Sequence, residues 1–179
     1  MAAQGLSGFY GSVFRRSITV RILIRTSDGR VLQLRSGDAW EPPGGVVKGG
    51  EDPRSAARRI ARAALDPEFD VGRVLVLDCV QGPHGQGDSI AFLFDGGMLS
   101  TSVTTFTGAG GEWEARFAAP DDCGVGQEEG WWAAAQRALE LGAVVELVNG
   151  EPAAAGPVAA PPLRRMMPPL DGFSGILGR

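Results

Sequence analysis

A glycine-rich segment that ends in an acid is the part of this sequence best suited to hold an anion. It reads Trp40-Glu-Pro-Pro-Gly-Gly-Val-Val-Lys-Gly-Gly-Glu51 and runs directly into an arginine-rich stretch from Asp52 to Asp66. A glycine loop at a helix start can offer its backbone amides to a phosphate without any metal, because the first turn of a helix has free N–H donors and the positive end of the dipole. The glycines also read as nothing more than permissive backbone positions. Gly44 and Gly45 are therefore candidate substrate-binding positions. Trp40, just before them, is either a pocket wall at the mouth of a cleft or a core residue. His84 is the single histidine and sits in Gly82-Pro83-His84-Gly85-Gln86-Gly87-Asp88. A loop imidazole there is free to reach a ligand and titrates near neutrality, or is simply solvated.

The elements that carry these residues follow from periodicity and turn chemistry. Ser17 to Ile24 alternates around Ile18, Val20 and Ile22, and Val31 to Leu34 follows the turn Ser27-Asp28-Gly29, which predicts a hairpin. After the glycine segment, Pro53 behind Glu51 and Asp52 marks a helix start, since proline suits the first turn and acids suit its positive end. Asp66-Pro67 closes that helix. Val71 to Val80 and Ser89 to Phe94 predict a second strand pair across the 82–88 turn, and Glu112 to Phe117 alternates once more. Glu128 to Leu141 reads as a second helix with Trp132, Ala135 and Leu139 on one side, ahead of a short strand Val144 to Val148 and the turn Asn149-Gly150. Mixed strands around two helices predict an α/β or α+β sandwich.

On the first helix, positions 60, 63 and 64 share a face by their spacing of three and four. They are Ile60, Ala63 and Ala64, and with Ala56, Ala57 and Ala61 they make a broad apolar arc. Arg54, Arg58 and Arg62 recur at four-residue intervals on the other side, as a solvated face or an anion-binding surface. Trp131 and Trp132 open the second helix, and one of them must face outward unless something covers it.

With 179 residues the chain suits one domain with a tail, and its 44% apolar and 21% charged residues are the balance of a soluble globular protein. A net charge of -4 argues against nucleic acid, whose binders carry a basic surplus to displace phosphate counterions. Cys79 and Cys123 lack the spacing of a zinc site or a disulfide framework. Met1 to Phe14 has no signal-peptide pattern, and no apolar run reaches the roughly 20 residues that span a bilayer, so the expectation is a cytoplasmic protein with no membrane partner. From Glu151 onward, Pro152, Pro157, Pro161, Pro162, Pro168 and Pro169 favour extended chain, a tail that either hangs loosely or docks through Phe173, Ile176 and Leu177.

The segment resembles the Nudix box. Gly45, Glu51 and Arg59 stand at the spacing of that pattern's glycine, loop glutamate and helix arginine, with Pro43-Gly44 and Gly50 flanking. The positions of its glutamate cluster read Ile60, Ala63 and Ala64, and its last glycine reads Asp66. The hairpin Arg16 to Arg21 and Asp28 to Arg35, and Glu112-Trp-Glu-Ala-Arg-Phe-Ala-Ala-Pro-Asp-Asp, also resemble Nudix segments. The resemblance implies an αβα sandwich with a mixed central sheet and two main helices over residues 15–150, with 1–14 as an extension and 151–179 as the tail. It also implies that Glu51 and Arg59 brace one another, that Arg59 is a substrate-binding residue, and that Glu112 is an added acid opposite the box, with Glu114 on the same strand face.

In that family a glutamate cluster holds magnesium against a diphosphate, both to neutralise charge and to activate water. Here any magnesium would have to rest on Glu51 and Glu112, with Glu114 or Asp88 assisting, so no metal is assigned. The expected function is action on a small phosphorylated or nucleotide-like molecule with weak or altered phosphoanhydride hydrolysis, in which Glu51, Glu112 and His84 are the catalytic candidates. A metal-free acid/base step such as an isomerisation or cyclisation in specialised metabolism is a related option. The alternative is a ligand-binding or interaction module without turnover. A homodimer is the assembly considered.

Overall fold

The computed structural model describes residues 16–82, 87–99, 105–108, 111–119, 122 and 127–153, with backbone alone for 105–108, 111–113 and 127–129. Along the chain the elements are β1 (Ser17–Thr26), β2 (Val31–Ser36), β3 (Ala39–Glu41), β4 (Gly44–Val46), α1 (Pro53–Ala64), β5 (Val74–Val80), β6 (Ser89–Leu99), β7 (Thr105–Gly108), β8 (Gly111–Ala118), α2 (Gln127–Leu141), β9 (Val145–Val148) and β10 (Glu151–Pro152). The sheet runs in the order β10-β9-β5-β6-β1-β2-β8-β7, with β3 added to β2 and β4 to β1.

Alternating side chains give this sheet two buried faces. From β1, Val20, Ile22 and Ile24 enter one apolar cluster with Ala56, Ala57, Ala61 and Ala64 of α1, while Leu23 enters a second with Trp131, Trp132, Ala135 and Ala138 of α2. A helix therefore covers each side of the strands, an αβα sandwich of the α+β class. The sheet is mixed: β1 pairs parallel to β6 and β5 parallel to β9, whereas β1–β2, β5–β6 and β2–β8 are antiparallel. Both tryptophans at the head of α2 are buried. Trp131 Nε1 donates to Asp78 Oδ2 at 2.7 Å, and the Gly150 amide donates to the same oxygen at 3.0 Å, which ties the helix and the turn after β9 to the middle of β5.

Helix α1 begins where capping chemistry puts it. The Asp52 side chain accepts from the Arg54 and Ser55 amides at 2.9 and 3.0 Å, and Pro53 occupies the first turn. The arginine stripe is neither free nor solvated throughout. Arg54 donates to the Val71 and Gly72 carbonyls and lies 5.3 Å over the Phe94 ring, Arg58 pairs with Asp70, and Arg62 donates to the Phe69 carbonyl. Together they clamp the chain between Phe69 and Gly72, which is why the strand expected from Val71 starts only at Val74. The glycine segment differs too: it folds as the two short strands β3 and β4 in place of an open loop. Sheet pairing continues two residues past Gly150 through β10, and the rest of the tail, from 154, and the extension 1–14 lie outside the described residues.

Candidate functional site

A cavity of about 250 Å³ opens between β2, the β3–β4 corner and α1. Pro42 and Pro43 turn the chain at that corner, and Leu34 from β2 supplies the opposite wall. The floor is the face of α1 that carries Ile60, Ala63 and Ala64. All three positions of the box pattern's glutamate cluster thus line the cavity, and none offers a side-chain oxygen. Polar groups come only from the rim, as Arg35, Ser36, Glu41 and Arg59.

Glu51 and Arg59 form the brace at one side of this floor. Arg59 Nε and Nη2 donate to Glu51 Oε1 and Oε2 at 2.8 and 2.9 Å, a two-pronged pair. Glu51 Oε2 also accepts from the Lys48 amide at 3.1 Å, and the Glu51 amide donates to the Lys48 carbonyl at 3.1 Å. The turn so closed needs Gly50, at φ 78°, in its third place. The Arg59 guanidinium first, and the Lys48 amide second, pull the Glu51 carboxyl from 4.5 to about 2. It is an ionised and fully engaged anion at neutral pH, so it is unsuited to take up a proton there.

Gly44 lines the cavity, and both glycines also fill tight packing positions. Gly44 and Gly45 pair in register with Arg21 and Val20 of β1. A Cβ on Gly44 would sit 2.5 Å from the Val20 carbonyl oxygen and also collide with the Arg21 side chain, while one on Gly45 would meet Ile60 Cδ1 at 3.2 Å. These residues belong to a strand and not to the helix start, whose free donors are taken by Asp52.

The remaining candidates are dispersed. Trp40 pairs with Arg35, and Arg116 lies 4.7 Å over its ring. Arg116 follows Ala115, which faces α1, so alternation places the Trp40–Arg116 stack on the sheet face away from the α1 floor. Glu114 accepts from Arg35 Nη1 at 2.9 Å. Asp88 Oδ1 accepts from the Gly82 amide at 3.0 Å, and Asp88 Oδ2 lies 3.6 Å from Arg16. The backbone of Glu112 pairs with Thr107; its side chain and all of His84 lie outside the described residues. Glu41 and Arg35 are cavity residues that the sequence did not single out. Glu41 accepts from Arg21 at 3.1 Å. Their signal was the turn chemistry of Ser36-Gly37-Asp38, which folds β3 back on β2 and sets Glu41 opposite Leu34.

The NUDIX domain family matches residues 15–141. The chain belongs to the Nudix family. Among solved structures, this Nudix chain resembles a MutT protein from Methanosarcina mazei Go1 at 20% identity, with a TM-score of 0.52, over 73% of this chain and 97% of that one. It resembles a UDP-X diphosphatase at 16% identity and a TM-score of 0.53, over 82% and 75%. A NUDIX hydrolase from Nitrosomonas europaea matches at 14% and 0.50, over 75% and 78%. At these identities the likeness is one of fold. No match was found among curated proteins. No helix among the described residues is long and apolar enough to cross a membrane.

The magnesium ion that the Nudix fold implies needs several oxygens converging on one point. Among the described residues the donor set does not fit it. Ile60, Ala63 and Ala64 supply none, Glu51 is held by Arg59 and Lys48, and Glu41 by Arg21. Among the described residues no three His, Cys, Asp or Glu side chains come together as a metal site.

Proposed function

We propose that this Nudix chain binds a small phosphorylated or nucleotide-like molecule in the cavity beside α1, and that phosphoanhydride hydrolysis there is weak or lost. One observation carries the reading: the cavity floor is Ile60, Ala63 and Ala64, while the neighbouring Glu51 is spent on the brace to Arg59. Hydrolysis of a diphosphate near neutral pH relies on metal to neutralise charge and prepare water, and this floor offers no seat for one. The phosphate part of the reading draws on the family and on Arg59 at the rim. Glu41, the one acid on the cavity wall among the described residues, is the residue that a metal-free acid/base step would use.

The test is calorimetric titration of the full chain with ADP-ribose, a UDP-sugar and inorganic phosphate, in excess magnesium and again in EDTA, with phosphate release followed in parallel. Binding that is equal in the two conditions, with release far below the roughly 1 to 1,000 per second of ordinary enzymes, is the expected outcome. Magnesium-dependent release at ordinary rates would refute it. Metal-free conversion that disappears in Glu41→Gln would select the acid/base variant.

A further inference from the structure

We infer that the ligand of this cavity is an amphiphilic phosphate ester, its apolar body resting on Ile60, Ala63 and Ala64 and its head at Arg59. The inference deepens the proposed function and rests on its reading of the cavity as a ligand site. It starts from size. About 250 Å³ holds roughly eight units of about 30 Å³ each, the share of a water molecule in the liquid. That lies below the roughly 300 to 1,000 Å³ of pockets that enclose larger ligands, so a nucleoside with its sugar would leave part of its surface outside.

Lining chemistry points the same way. Leu34, Pro42, Pro43, Ile60, Ala63 and Ala64 carry no side-chain donor or acceptor, so ribose hydroxyls or base edges on this floor would go unpaired. A hydrocarbon body has nothing to pair and gains by leaving water. At the rim, Arg59 commits Nε and Nη2 to Glu51, and Arg35 commits Nε to the Gly37 carbonyl and Nη1 to Glu114. Among the described residues no hydrogen bond reaches Arg59 Nη1, which leaves that guanidinium an edge for an anion, whereas Arg35 shares the sheet face of Trp40 and Glu114, away from the floor. Glu41, the acid of the wall, is neutralised by Arg21 at 3.1 Å. The charges at the mouth are thus already paired, and what favours an anionic head is the open N–H edge of Arg59.

The experiment is calorimetric titration of the full chain in EDTA with inorganic phosphate and with methyl, butyl and octyl phosphate, plus octanol and AMP as controls. Each methylene that reaches the floor tightens binding by roughly fourfold, with no further gain beyond about eight carbons. AMP binds no better than methyl phosphate, and octanol binds at least tenfold more weakly than octyl phosphate. Ala63→Glu, which puts a carboxylate in the floor at a half-buried position, returns octyl phosphate to the affinity of inorganic phosphate. Ile60→Val is the milder companion, giving a loss of roughly fourfold for octyl phosphate with inorganic phosphate unchanged. Phosphate binding without dependence on chain length would overturn the apolar body and leave the ligand-site reading standing. Octanol as tight as octyl phosphate would overturn the head at Arg59. No binding of any of these phosphates would overturn both the inference and the reading beneath it. Octyl phosphate unaffected by both substitutions would place the ligand elsewhere and overturn the inference.

Discussion

Two adjacent glycines separate a packing role for the box from a ligand-cradling one. Neither Gly44 nor Gly45 lies at positive φ, so alanine is conformationally allowed at both and gains roughly 0.4–1 kcal/mol by restricting the unfolded chain. What differs is the space for one methyl group. At Gly44 the new Cβ would stand 2.5 Å from the Val20 carbonyl oxygen. That oxygen belongs to backbone held between β4 on one side and β6 on the other. Overpacking of this kind costs about 1–3 kcal/mol, and a rigid obstacle puts it near the upper end, for a net loss of about 2 kcal/mol. At Gly45 the nearest obstacle is the tip of Ile60 at 3.2 Å, a flexible side chain that yields by a few tenths of an ångström, and the net effect is near zero. For a chain of this size about 1 kcal/mol shifts the melting temperature by roughly 2–4 °C. Gly44→Ala should therefore melt about 4–8 °C lower, and Gly45→Ala within about 2 °C of the parent, by circular dichroism and by urea midpoints at unchanged slope. Equal stability of the two variants, with phosphate binding lost in Gly44→Ala, would refute the packing argument and restore the glycines to the ligand.

The brace predicts an acid limit. Because Arg59 holds the Glu51 carboxyl at about 2 in the folded chain against an ordinary 4.5, its stabilisation is complete above 4.5 and drains away as pH falls from there through about 2. Asp52, held down first by the Ser55 hydroxyl, and Asp70, held down first by Arg58, act in the same direction. Urea midpoints of Glu51→Gln should converge on those of the parent toward the acid end of that window; a constant gap would contradict the assignment. Asp78 is fully buried and its Oδ1 has no hydrogen-bond partner. Asp78→Ala strands the Trp131 and Gly150 donors and should cost about 2–5 kcal/mol. Asp78→Asn keeps one acceptor oxygen and removes the charge, so it should cost no more than half as much in the same unfolding assay.

The parts of the fold that announce themselves locally were legible. Ser27-Asp28-Gly29 marked the first hairpin, and Asp52-Pro53 marked the start of α1, because a turn or a cap is written into neighbouring residues. Strands β3 and β4 were not legible, since Trp40-Glu41 and Gly44-Gly45-Val46 show no alternation and are held by partners distant in sequence. The same reason hides the parallel pairing of β1 with β6. In the site, the fit of Glu51 to Arg59 followed from the box spacing, and the shared face of Ile60, Ala63 and Ala64 from helical periodicity. The sequence left Trp40 open between cleft and core, because only the register with Arg35 and the stack under Arg116 put it on the face away from the α1 floor. Glu41 was passed over because its place on the cavity wall depends on how the β3–β4 corner is folded.

The cleft keeps the frame of the Nudix box and, among the described residues, offers no seat for a divalent ion. Manganese titration followed by its electron paramagnetic resonance signal tests this most directly, since the free and bound ions are counted separately. The prediction is no saturable site in the parent chain, with or without a nucleoside diphosphate. One equivalent bound at micromolar concentration, and lost in Glu51→Gln or Glu112→Gln, would contradict it.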